Sequence, residues 1–293
     1  MGAWKTMNSS RHLVLITGAT KGLGRLVADR FWQAGNDLVL IARNGPDLKK
    51  VADDLVTTSK PDQEIHYFSA DLSCLLQIPT LINTIQRVVG NPDILINNAA
   101  IQGPIGPVHV NDWTEWQECL NVCLLAPVQL CRGFLPSMIK SRYGRIVNVS
   151  GGGATSPRPN FSSYATAKCG VVRFSETLAH EVAQYGITVN CVAPGAMKSQ
   201  LTEKILDAGI EFAGSSEIKN AQHISKENPH AEKRAADLVY FLTTDSYAQI
   251  NGKLISAIWD PWEKLPDIVQ DVRSNDIYTL RRINLKERNL TIE

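Results

Sequence analysis

Short apolar runs of strand length alternate along this chain with amphipathic stretches of helix length, and few folds accommodate that order. The runs cover residues 12–17, 38–42, 65–69, 94–96, 145–149, 188–192 and 254–258. Between them, 23–34 reads as an amphipathic helix, and 114–130 and 164–185 as long, largely buried ones. Polar residues or glycines gather where the runs end: Asp71, Asn97-Asn98 and Pro194-Gly195. The pattern predicts a doubly wound (Rossmann-type) α/β fold, a parallel sheet with helices on both faces. Ligands of such a sheet bind at the carboxyl edge of the strands.

No repeat or linker divides the 293 residues, and 44% hydrophobic content suits one large domain. The expected organisation is a flexible N-terminus (1–11), a single domain (12–259) and a C-terminal extension (260–293). Within the domain, 200–232 is polar and glycine-containing and reads as a mobile lid. Apolar residues in the extension suggest that it docks on something.

A formal charge of +1 argues against nucleic acid or anionic lipid as partner. The most apolar stretch, 120–130, is short and contains Asn121 and Pro127, so no membrane span is expected. Six cysteines, with no C-x-x-C pair and no His cluster at zinc spacing, read as buried free thiols with no metal. Gly2 and Thr6 fit the loose myristoylation pattern, but the start lacks a secretory signal, and the expected location is cytoplasmic.

Between the first run and the first helix lies Thr17-Gly18-Ala19-Thr20-Lys21-Gly22-Leu23-Gly24. Glycines there let the backbone turn tightly and approach a pyrophosphate, which the helix N-terminus stabilises. The second run ends Ile41-Ala42-Arg43-Asn44, without the carboxylate that NAD sites place at this point. Arg43 and Lys21 can instead meet a 2′-phosphate, so the expected cofactor is NADP(H), with NAD(H) second.

Tyr164 and Lys168 stand four apart at the start of a helix and share one face. An ammonium, together with the charge of an oxidised nicotinamide, favours the phenolate and lowers a tyrosine pKa that is otherwise near 10. The pair could then pass a proton to a carbonyl oxygen, or take one from an alcohol, as hydride moves.

These features together resemble the short-chain dehydrogenase/reductase family over about residues 13–258. Thr17 to Gly24 is similar to its cofactor loop. Asp71, with Leu72 beside it, matches the acid at the adenine. Asn97-Asn98-Ala99-Ala100 resembles its Asn-Asn-Ala-Gly signature. Asn121 falls where the family keeps an asparagine for the proton relay, Tyr164 and Lys168 match the catalytic pair, and Pro194-Gly195 with Ser199 resembles the nicotinamide-carboxamide segment. The resemblance implies a homodimer or homotetramer that pairs through the helices around Asn121 and Tyr164.

One position departs. The family's substrate-orienting serine lies thirteen residues before the tyrosine, where this chain has Gly151. Ser150 is one residue early, and along a strand one residue turns a side chain to the other face. The neighbouring glycines leave it free to swing in, and Thr155 or Ser156 are alternatives.

The expected activity is reversible hydride transfer between NADP(H) and a ketone or secondary alcohol, small and sugar-like. A non-catalytic NADP(H) sensor is the alternative that Gly151 motivates. A nucleotide-sugar epimerase or dehydratase is a third, which the glycine spacing disfavours. Trp113 and Trp116 are expected beneath the helix leading to Asn121. Lys198 reads as a solvated loop residue, and neither His223 nor His230 as a metal ligand.

Overall fold

The computed structural model describes residues 11–227 and 230–288. Most of the N-terminal segment expected to be flexible, and two residues of the lid, therefore lie outside the described residues. Seven strands form one parallel sheet in the order β3-β2-β1-β4-β5-β6-β7. They are β1 (Leu13–Thr17), β2 (Asp37–Ala42), β3 (Ile65–Ser69), β4 (Ile94–Asn97), β5 (Gly144–Val149), β6 (Ile187–Ala193) and β7 (Leu254–Ser256). Val14 pairs with Leu38 on one side and Ile94 on the other, so β1 lies inside the sheet. The strand order reverses between β1 and β4, and a doubly wound sheet opens its ligand crevice there.

Successive residues of a strand feed opposite faces. Val14, Ile16, Leu38 and Leu40 enter one apolar cluster, with Val27 and Phe31 of α1 (Gly22–Ala34), Leu48 and Val51 of α2 (Gly45–Val56) and Leu238 of α9 (Ala231–Phe241). Leu15, Val39, Ile41 and Leu95 enter the other, with Ile82 of α3 (Ile78–Val88), Phe134 of α5 (Ala126–Ser141) and Leu178 of α6 (Ser162–Val182). Burial on both faces is why the strands read as near-continuous apolar runs rather than as alternation.

The segment expected as one helix over 114–130 is interrupted. It comprises α4 (Trp113–Leu120), a π turn (Asn121–Leu125) and α5. Asp112 caps its start, accepting a hydrogen bond from the Glu115 N–H at 2.8 Å. The whole run, Trp113–Ser141, is by length and composition alone apolar enough to cross a membrane. Leu130, Cys131, Phe134 and Met138 nevertheless bury against the sheet, as in a core helix.

The segment expected as a lid is mainly two helices, α7 (Gln200–Ala213) and α8 (Ser215–Glu227), and is less polar than expected. Ile205, Ala213, Ile218 and Ala221 bury with Phe161. Gly209 breaks α7 with φ +71°, and Gly214 joins the two helices at φ +88°.

The C-terminal extension docks on its own chain. After α10 (Val269–Ser274), the Tyr278 carbonyl accepts from Leu254 N–H of the edge strand β7 (2.8 Å). Lys253 Nζ donates to the carbonyls of Asn275 and Ile277 at 2.9 and 3.0 Å. Four cysteines are buried, but Cys74 and Cys169 are exposed, against the expectation that all six would be buried.

Candidate active site

At the carboxyl edge of the sheet a cavity of about 800 Å3 runs from Lys21 and Arg43 at one end to Tyr164 and Lys168 at the other. The loop after β1 floors it. Gly18 takes φ +66°, and a Cβ there would stand 2.9 Å from the Cα of Ala99. Gly24 does not line the cavity. Its missing side chain lets the first turn of α1 approach the loop, because a Cβ there would fall 2.1 Å from the Gly18 carbonyl oxygen. Thr17 also works from behind: its buried hydroxyl accepts hydrogen bonds from the backbone N–H groups of Asn98 and Ala99, both at 3.0 Å. Asn98 Nδ2 in turn donates to the carbonyls of Thr17 and Gly18.

Gly22 and Leu23 at the start of α1, Asp71 and Leu72 after β3, and Asn98 and Ala99 after β4 line the cavity. So do Pro194 and Ser199 after β6, whereas Gly195, at φ +85°, packs against Ile258. Backbone N–H groups at a helix start, a glycine floor and a pair of cations make a cradle that fits a dinucleotide. One acid that sequence reading passed over stands among them. Asp47 lines the cavity, with Oδ2 3.9 Å from Lys21 Nζ. The only signal for it was its place in the first turn of a helix that Asn44 caps.

Tyr164 and Lys168 lie on the first turns of α6, buried. Lys168 Nζ donates to the Val149 carbonyl at 2.7 Å and stands 5.5 Å from the centre of the Tyr164 ring. Burial pushes the Tyr164 phenol above its ordinary value; Lys168 pulls it down, Cys123 pushes it up, and Arg158 pulls it down again. The lowering expected from Lys168 is therefore present but outweighed by desolvation in the protein alone. Burial opposes the Lys168 charge, yet its surroundings, Tyr164 and Cys123 first, hold its pKa above the usual lysine range.

Asn121 opens the π turn, where its Nδ2 donates to the Ser73 carbonyl at 3.0 Å. It does not line the cavity; its neighbour Val122 does, with Ile101, Met197 and Leu201. None of these four carried a sequence signal, since apolar walls look like core. Trp113 is not beneath the helix: it is 64% exposed and stacks on Trp116, whose Nε1 donates to Ser162 Oγ.

Ser150, just past the end of β5, lines the cavity with its hydroxyl buried. Among the described residues this Oγ has no hydrogen-bond partner. Thr155 and Ser156 are exposed and do not line the cavity. Gly151 lies against the phenol: a Cβ at 151 would sit 2.4 Å from the Tyr164 oxygen. Lys198 is exposed, as expected, and also lines the cavity together with Glu118, Gln200 and Glu203. Among the described residues, no three His, Cys, Asp or Glu side chains gather as a metal site.

Residues 12–209 match the family model for short chain dehydrogenase. The chain is 29% identical over 247 residues to D-beta-hydroxybutyrate dehydrogenase of Rhizobium meliloti, covering 83% of this chain and 95% of that protein. It is 31% identical over 244 residues to the 3-oxoacyl-(acyl-carrier-protein) reductase of Haemophilus influenzae, covering 82% and 93%. Among solved structures, NAD+-bound xylitol dehydrogenase superposes with a TM-score of 0.73 at 25% identity, over 84% of this chain and 96% of that one. A metagenomic short-chain oxidoreductase in complex with NADP gives 0.67 at 27% identity, with the same coverage. The chain belongs to the short-chain dehydrogenase/reductase family and is an NAD(P)-dependent oxidoreductase.

Proposed function

We propose that this enzyme catalyses reversible hydride transfer between NADP(H) and a ketone or secondary alcohol, with Tyr164 as acid/base. The observation that carries the reading is one cavity with Tyr164 and Lys168 at one end and the glycine loop, Lys21 and Arg43 at the other. The dinucleotide, when bound, supplies or accepts the hydride. Gly18, Gly22 and the backbone around Asn98 and Ala99 would hold its phosphates, with Asp71 and Leu72 at the adenine and Pro194 to Ser199 at the nicotinamide.

The chain's own groups handle the proton. Tyr164 gives one to the carbonyl oxygen in reduction and takes one back in oxidation, while Lys168 favours its phenolate. Ser150, whose hydroxyl has no hydrogen-bond partner among the described residues, would hold the substrate oxygen beside the phenol. Asn121, anchored to Ser73, fixes the π turn that walls the cavity and supports proton supply.

NADP(H) is preferred over NAD(H) because Lys21 and Arg43 flank one end of the cavity, although Asp47 competes for Lys21. Glu118, Gln200, Lys198 and Glu203 give the substrate end several hydrogen-bonding groups, which supports a small hydroxylated, sugar-like carbonyl compound. The working form is a cytoplasmic homodimer or homotetramer paired through the helices bearing Asn121 and Tyr164; the exposed Leu125 on the π turn supports that face.

The test is oxidation of NADPH, and of NADH beside it, against keto-sugars, small ketones and 3-oxoacyl thioesters, using wild type and Tyr164→Phe. The expected result is turnover with NADPH that drops at least about 10²-fold in the variant while cofactor binding persists. Equal turnover by the variant would remove Tyr164 from the chemistry. Tight NADPH binding with no turnover by either would favour a sensor, the reading that Gly151 motivates.

A further inference from the structure

Arg158 lies in the loop between Gly151 and α6, and its side chain is only 15% exposed. Its guanidinium forms a fork with Glu217 in the first turn of α8, Nε to Oε1 at 3.0 Å and Nη2 to Oε2 at 2.7 Å. The same guanidinium lies 3.9 Å above the ring of Phe161 and 5.8 Å from the centre of the Tyr164 ring. Below the fork, Ile218 and Ala221 of α8 bury against Phe161. A two-point charged fork over an apolar footing is a specific dock rather than a passing surface pair. Gly214, at φ +88°, joins α8 to α7.

We propose that Arg158 and Glu217 are a positioning pair for the acid/base: α8, docked through Glu217, holds the Arg158 cation over Tyr164, so that seating the lid also sets the charge felt by the phenol. The inference rests on the reading of Tyr164 as acid/base. An opposite charge nearby favours an ionised group and a like charge disfavours it, with a strength set by distance and solvent access. Tyr164 is faced by Lys168 on its own helix, Cys119 on α4, Cys123 on the π turn, Ser150 and Gly151 after β5, and Arg158 with Glu217 behind it. Glu118, Lys198 and Glu203 line the same cavity. Of these groups, only Arg158 has its charge balanced by a partner on the lid. Its cation favours the phenolate, as Lys168 does, and the Glu217 carboxylate offsets part of that effect.

The sign follows from the arrangement. Arg158→Gln leaves the Glu217 anion uncompensated and raises the proton affinity of the phenol. Glu217→Gln leaves the cation uncompensated and lowers it. Removing both charges restores the balance. A purely structural dock would damage all three variants in one direction, with the double variant no better than either single one.

The experiment titrates Tyr164 by phenolate ultraviolet absorbance, as the difference from Tyr164→Phe, with the tighter-binding of NAD+ and NADP+ bound. The expected midpoints move up by roughly half to one pH unit in Arg158→Gln and down by a similar amount in Glu217→Gln. The double variant and Arg158→Lys should lie near wild type. Midpoints that stay put, or that both move the same way, overturn the proposal, and thermal melting of each variant shows that the titrated protein is folded. The titration needs no substrate. Persistent turnover in Tyr164→Phe would therefore sink the acid/base reading while leaving the charge effect measurable, whereas unmoved midpoints would sink the pair's role alone.

Discussion

At the scale of single residues, Gly151 stands where the family resemblance leads one to expect a serine, and the geometry there explains how a glycine is accommodated. The Tyr164 phenol leans into space that a side chain at 151 would occupy, within 2.4 Å of where its Cβ would be. Gly151→Ala should therefore displace the phenol and lower kcat by about 10-fold or more, since a misplaced proton donor loses much of its contribution. Gly151 is not in the positive-φ region and lies near the surface of the loop, so melting should move by little. An unchanged kcat would show that the phenol has room to withdraw. Ser150→Ala should lower kcat/KM by about 10- to 100-fold without loss of stability, because among the described residues its hydroxyl has no partner to lose. Steady-state kinetics on the best substrate decides both.

The Tyr164–Lys168 pair was legible because a spacing of four dictates a shared helix face whatever surrounds it. Whether Ser150 turns inward was not, because the outcome depends on how three glycines leave the sheet. Asp47 was missed for a related reason: sequence distance from the glycines says where an acid usually stands, not which helix turn brings one near Lys21.

At the scale of elements, the strands were readable nearly to their ends, because two-sided burial makes the inner strands apolar blocks, although the edge strand β3 is only partly buried. The π turn was not. Its residues Asn121–Leu125 continue the apolar pattern of the helices on either side, and one extra residue in a turn leaves that pattern almost intact. The lid helices were hidden by their polar outer faces, and the tail by the nature of its contacts. Lys253 is a buried cation satisfied by the carbonyls of Asn275 and Ile277, and the buried Glu176 accepts from Leu280 N–H at 2.6 Å. Backbone groups carry no side-chain signature, so the tail's apolar residues indicated docking in the sequence but not which groups would hold it.

Truncation after Ser274 removes all three of these bonds and uncovers Tyr278's place on the core cluster. Hydrogen bonds to charged groups contribute about 1.5–3 kcal/mol each, and solvent reaching the uncovered groups returns part of that. A loss of about 2–4 kcal/mol is expected in denaturant unfolding. An unchanged midpoint would mean that the tail contributes nothing to the fold. Subunit mass measured on the same protein would show whether the tail also serves assembly.

At the scale of the whole molecule, two apolar layers closed over a parallel sheet leave titratable groups far from water, and their combined protonation sets how the fold responds to pH. Burial holds the thiols of Cys131 and Cys191 up at about 12 and pushes Tyr143, Tyr164 and Tyr247 above the ordinary tyrosine range. In the unfolded chain the thiols titrate near 8.5 and the tyrosines near 10. Between those values and the folded ones, the native state holds protons that the unfolded chain has released. Stability is therefore fully present below about pH 8.5 and falls as pH rises towards the folded values. Each such group contributes a slope of about 1.4 kcal/mol per pH unit, so the two thiols alone would remove roughly 4 kcal/mol between pH 8.5 and 10. That is a large share of the 5–15 kcal/mol typical of a folded domain. The melting temperature should fall steeply across this interval, before the tyrosines add their part. A Cys131→Ala, Cys191→Ala double variant should melt lower at neutral pH, because it leaves small cavities, yet lose less on going to pH 10. The two melting curves should converge as pH rises. If they run parallel from pH 8 to 10, the buried thiols are not the groups that release protons on unfolding.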